Sequence, residues 1–251
     1  MLLKLKTEIK EFFLWKKILV LFIASSIVAY VHLNYFLQNW TGASIGEYIV
    51  YSLTECNYFL VLFPILCMLL INGKNNEVYR YPILLHYKTR NEYFYIRFMS
   101  RGIFLAIALL IHIGTLMIVG RFLPVQSQMI FVSSRNLMAI IIKQFLNIFC
   151  YVCVMALVHE ILIGIFENVI LDIMLTSIIS LLNLLVVKLV IKSIVLWTPW
   201  GNIAYRLFGT ENKNYQFYFF YWMFLILLLF YLAEELNGRK DYVFEETHKV
   251  N

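Results

Sequence analysis

The chain has 251 residues, 62% of them hydrophobic and only 14% charged, with a formal net charge of +6. Soluble domains average about half apolar and a quarter charged residues, so this composition excludes an ordinary globular enzyme and leaves a membrane protein. Six apolar stretches of about 20 residues each take up roughly half the length, which leaves too little for a separate soluble domain.

The segment Met1 to Lys17 places Leu2, Leu5, Ile9, Phe12 and Phe13 on one helical face and Lys4, Glu8 and Glu11 on another. This pattern predicts an amphipathic elbow helix over residues 1–17, lying in the membrane interface. It lacks the small-residue cleavage site of a removable signal peptide. Spans are then expected over Ile18–Leu37, Ile49–Ile71, Ile103–Leu123, Leu137–Phe166, Val169–Val190 and Phe217–Ala233. Backbone groups in lipid must be paired within the protein, so each span is expected to be a helix. A β-barrel would need short alternating segments, whereas these runs are continuously apolar. The expected fold is therefore an all-α membrane protein, with residues 1–251 forming a single transmembrane domain.

Between the second and third spans lies a basic, tyrosine-rich connection over 72–101, carrying Lys74, Arg80, Lys88, Arg90, Arg97 and Arg101 against Glu77 and Glu92. With the N-terminus inside, the cytoplasmic side receives fourteen of the 21 Lys and Arg residues. The positive-inside rule thus predicts both termini and this connection in the cytoplasm. The charge is explained by contact with anionic membrane lipid, at about 1 kcal/mol per basic residue near the surface, and requires no nucleic-acid partner.

The connection between the fifth and sixth spans, residues 188–214, is too apolar for a solvated loop. Trp197 and Trp200 favour the headgroup level, while Pro199 and Gly201 interrupt any helix. An outer re-entrant hairpin or an ordinary interfacial loop fits these residues.

Polar residues within spans are candidates for function because they are costly in lipid. In the fifth span Asp172, Thr176, Ser180 and Asn183 share one face, as do Lys143, Asn147 and Tyr151 in the fourth. Tyr51, Glu55 and Tyr58 line up in the second. Glu55, Tyr58, Asn147, Asp172 and Asn183 are accordingly candidates for a translocation path or a permease interface, while Thr176 and Ser180 fit bonding between helices.

Several motifs point away from catalysis. Cys150 and Cys153 form a C-x-x-C inside an apolar run with no neighbouring ligand pair, so zinc and redox roles are not expected. His159-Glu160 lacks the second histidine of a metalloprotease helix, because position 163 is Ile163. Glu234-Glu235-Leu236-Asn237-Gly238-Arg239 is similar to the E-E-x-x-x-R string of CAAX-protease-like membrane peptidases, yet only His248 follows it. The chain also carries no G-x-x-x-x-G-K-[ST] phosphate loop.

The expected elbow helix, six spans and outer hairpin, together with Tyr87-Lys88-Thr89-Arg90-Asn91 and Arg97 ahead of the third span, resemble type-2 ABC exporter permeases. The resemblance covers essentially the whole chain and rests on layout. It implies a permease subunit with no cofactor of its own, paired with a second permease chain as a homo- or heterodimer. ATP and magnesium would be bound by a separate cytoplasmic ATPase subunit. It also implies ATPase coupling through Tyr87, Lys88, Thr89, Arg90, Asn91, Tyr93 and Arg97, and an outer hairpin around Trp197, Pro199, Trp200 and Gly201. The substrate expected is an amphipathic peptide, lipid or drug. A stand-alone carrier, channel or bacteriocin-immunity protein is the alternative. The richness in Ile, Phe, Tyr, Asn and Lys points to an AT-rich genome and a Gram-positive cell membrane.

Overall fold

The computed structural model describes residues 9, 15–39, 45–55, 57–72, 90–122, 134–166, 169–189 and 215–239. Among these every regular element is helical: α1 Trp15–Asn39, α2 Ile45–Leu53, a π-helical turn Tyr58–Leu62, α3 Phe63–Asn72, α4 Arg90–Gly120, α5 Ser134–Phe166, α6 Val169–Leu189 and α7 Tyr215–Arg239. The expected elbow (Ile9 and the start of α1 aside), the connection over 73–89 and the outer hairpin from position 190 lie outside the described residues.

Within the described residues, the six apolar stretches fall on these helices apart from the break between α2 and the π turn. Three of them, α1, α4 and α5, are long and apolar enough to cross a membrane, or four if the bent pair formed by α2 and α3 is one span; α6 ranks as a shorter apolar helix. Their outward faces are apolar too: Ile23, Ile27 and Val31 of α1 and Ile170, Met174 and Ile178 of α6 are exposed. Such continuous apolar surfaces belong to a membrane-embedded protein.

The third apolar stretch begins earlier than hydropathy alone indicates, since helix starts at Arg90 rather than Ile103. The 31 residues of this helix measure about 46 Å against about 30 Å of hydrocarbon, more than one crossing requires. Residues 90–101 of the expected loop are therefore helical, a stem ahead of the third apolar stretch.

The second stretch departs from expectation more strongly. Hydropathy predicts one helix over Ile49–Ile71, but α2 and the helix over residues 58–71 are bent by 53° at a break around Thr54 and Glu55. Tyr51, Glu55 and Tyr58 therefore do not form a continuous stripe. Local chemistry accounts for this. Thr54 Oγ1 donates to the Tyr51 carbonyl at 2.6 Å, and Asn57 Nδ2 donates to Glu55 Oε1 at 2.6 Å. Short polar side chains of this kind compete with helical backbone bonding. Pro64 contributes next, because it has no N–H to offer the carbonyl four residues earlier, that of Leu60. In that turn the backbone adopts i to i+5 bonding, with the Phe63 N–H donating to the Tyr58 carbonyl.

Helix α5 holds the broken element in place. Gln144 Nε2 donates to the Leu53 carbonyl at 2.9 Å, and the Tyr151 hydroxyl donates to the Leu60 carbonyl at 2.9 Å. Gln144 and Tyr151 are two helical turns apart and so share a face. They satisfy one carbonyl on each side of the break, which buried backbone groups require. Around them α1 lies along α4, α7 lies along α5, and α6 covers α5, the π turn and α3. The core includes Phe36, Tyr48, Phe59, Phe104 and Trp222. Gly120, at the end of α4, permits a close approach: a Cβ there would lie 3.0 Å from Ile45 Cγ2 and 3.1 Å from Tyr48 Cδ1.

Candidate functional site

Two polar clusters stand out among the described residues. The first surrounds the stem of α4. Arg97 and Arg101, one helical turn apart, both face Glu160 of α5. Arg97 Nη2 lies 3.6 Å from Glu160 Oε1, and Arg101 Nη1 forms the closer pair with the same oxygen. Arg101 and Glu160 are buried, at 3% and 5% exposure, so the pair is held away from solvent screening. Arg97 also lies over the Tyr93 ring, 5.8 Å from its centroid.

The same stem reaches α7. Asn91 Nδ2 donates to Glu234 Oε1 at 3.1 Å, and the Tyr95 hydroxyl donates to that oxygen at 2.7 Å. Phe230 stacks among Phe94, Tyr95 and Phe98, with ring centroids 4.9–5.5 Å apart. Glu234, the first carboxylate of the peptidase-like string, thus anchors a helix. Beside the ion pair, His159 Nδ1 lies 3.3 Å from Thr176 Oγ1 of α6, and Thr176 also donates to the Asp172 carbonyl at 2.7 Å. Asp172 is fully buried.

The second cluster sits at the break. The Tyr58 hydroxyl is 3.4 Å from His112 Nδ1 of α4, and His32 of α1 meets the Tyr58 ring edge-on at 6.1 Å. Glu55 is half-buried in the break itself. Asn183 of α6 reaches this region through Tyr151, with Nδ2 3.4 Å from the hydroxyl that caps Leu60.

The candidates from sequence therefore separate. Of the residues expected to couple to an ATPase, Asn91, Tyr93 and Arg97 lie together on the stem and Arg90 opens it, while Tyr87, Lys88 and Thr89 are outside the described residues. Trp197, Pro199, Trp200 and Gly201 are likewise outside. Of the path candidates, Tyr58 and Asn183 flank the break, Asp172 lies one turn from Thr176 on α6 and accepts from it through its carbonyl, and Asn147 is half-buried one turn from Gln144. The α6 stripe of Asp172, Thr176, Ser180 and Asn183 does share a face, and all four are buried. Thr176 bonds between helices, as its type and spacing indicate.

Nothing local in the sequence pairs Glu160, His159, Gln144, His32 or His112 with the partners they meet in the fold. A signal was present, since each is a polar residue inside an apolar run. Cys67, Cys150 and Cys153 are buried free thiols. Among the described residues no group of three or more His, Cys, Asp or Glu side chains converges in a way that could hold a metal ion. No protein-family model matches the chain, and neither does any curated protein or solved structure.

Proposed function

We propose that this chain is the permease subunit of an ATP-driven exporter, with six spans, both termini in the cytoplasm and an outer re-entrant hairpin. A separate cytoplasmic ATPase subunit binds ATP and magnesium, and a second permease chain completes the transporter in a Gram-positive cell membrane. The single observation that carries this reading is the stem of α4. It continues directly from the basic connection and is tied to α5 through Glu160 and to α7 through Glu234. A force applied to residues 87–93 would be delivered to three helices at once, as coupling to an external motor requires. The buried polar face of α6 and the polar break in the second span supply surfaces for an amphipathic peptide, lipid or drug to pass.

The test is affinity purification of the full-length chain from its native membrane. The expected result is recovery of a chain bearing a G-x-x-x-x-G-K-[ST] phosphate loop, lost on Arg90→Glu or Lys88→Glu. Recovery of no such chain with the wild type rejects the reading.

A stand-alone carrier is the second reading, and one observation favours it. Carriers bind substrate where helices are broken within the membrane, and the second span bends by 53° beside Tyr58 and His112. Transport by the purified chain alone in proteoliposomes, without ATP, would select this reading over the first.

A further inference from the structure

His32 of α1, Tyr58 of the π turn and His112 of α4 meet in the interior of the bundle. The Tyr58 and His112 rings are 4.8 Å apart, with Phe59 and Phe63 around the imidazole at 5.3 Å and 6.2 Å. Ser25 precedes His32 by two helical turns on the same face of α1, and it faces the Tyr58 hydroxyl from beyond hydrogen-bond length. Between them on that face, the Ala29 carbonyl accepts from the Tyr48 hydroxyl at 2.6 Å. Ser52 of α2 stands one turn from Tyr48 and faces the same hydroxyl. One face of α1 is thus set against polar side chains of α2, the π turn and α4.

Ser25, Ser52 and His112 are fully buried, and His32 is 7% exposed. Even so, Ser25 Oγ, Ser52 Oγ, His32 Nδ1 and His112 Nε2 have no hydrogen-bond partner among the described residues. Each has lost its bonds to bulk water on folding, and leaving such atoms unpaired is costly.

We propose that this seam is a water-binding site inside the bundle, reached from the break in the second span. Hydroxyls and uncharged imidazoles both donate and accept, so they suit an uncharged partner that does the same. Buried waters make about three hydrogen bonds each, to polar groups that otherwise lack partners. The break is the polar way in: Asn57 is exposed there, Thr54 and Glu55 are half-buried, and Glu55 acts on His32. Water at this depth lets the hydroxyl or amide groups of an amphipathic substrate exchange protein partners for water. That last step rests on the transport reading, whereas the water site does not.

The test is radiolytic footprinting of the full-length chain in lipid nanodiscs, with no ATPase present. A brief X-ray pulse makes hydroxyl radicals wherever water sits, and mass spectrometry with isotopically labelled water reads which residues are oxidised. Tyr58 and His112 are expected to oxidise several-fold faster than Met155, which is also fully buried and carries a readily oxidised thioether. His112→Phe removes both ring nitrogens and is expected to lower Tyr58 oxidation several-fold. Where that variant fails to fold, Ser25→Ala combined with Ser52→Ala serves, because it removes two hydroxyls and adds no bulk. Tyr58 and His112 oxidised no faster than Met155, or Tyr58 oxidised at the wild-type rate in the folded variants, overturns the proposal.

Discussion

Replacing Tyr151 with Phe removes one hydroxyl and leaves the ring, which makes it a clean probe of how the broken span is held. The hydroxyl donates to the Leu60 carbonyl at 2.9 Å, and both residues are fully buried. It also receives the 3.4 Å contact from Asn183. An orphaned buried carbonyl costs about 1–3 kcal/mol, or about 5- to 150-fold in the folding equilibrium. The reason the carbonyl needs Tyr151 is Pro64, which cannot supply the N–H that would otherwise bond to it. Tyr151→Phe should therefore be costly in the wild-type background and much cheaper alongside Pro64→Ala, where residue 64 regains its N–H. Reversible unfolding in mixed micelles of dodecyl sulfate, followed by circular dichroism, measures all four corners of this cycle. A coupling of about 0.5 kcal/mol or more is expected. Additivity within about 0.3 kcal/mol would refute the reasoning, because the carbonyl would then not be what Tyr151 satisfies.

Glu160→Ala should destabilise the protein by about 3–5 kcal/mol in the same assay, since it leaves buried Arg101 without this carboxylate. Gly120→Val should cost about 1–3 kcal/mol by overpacking against Ile45 and against Tyr48, whose hydroxyl is pinned to the Ala29 carbonyl at 2.6 Å. For topology, a cysteine placed at Asn75 is expected to be labelled only from the cytoplasmic side and one at Asn212 only from outside. Reversed labelling would remove the positive-inside argument.

Helix positions were legible in the sequence because lipid imposes a single rule, that about 20 consecutive apolar residues form a helix. The rule is silent on polar pairing across distance. Arg101 and Glu160 are far apart in sequence, and nothing local to either names the other. By charge alone Arg101 is one more cytoplasmic cation, and by motif Glu160 is half of an incomplete metal site. The stripe on α6 could be read because its spacing alone fixes the face. The break in the second span could not, although its ingredients were in view. Thr54, Glu55, Asn57 and Pro64 each weaken a helix modestly, and Gln144 and Tyr151 from a distant helix decide that the chain can remain broken there.

The central claim is that the stem of α4 carries motion from the basic connection into the bundle through Glu160. It is tested most directly by ATP hydrolysis in nanodiscs containing the copurified ATPase with either wild-type chain or Glu160→Gln. The expected result is that the ATPase still copurifies with the variant, while permease-dependent hydrolysis falls by about 5-fold or more, the scale of a typical coupling energy. Unchanged hydrolysis with Glu160→Gln, or no ATPase recovered with the wild type, would contradict the account.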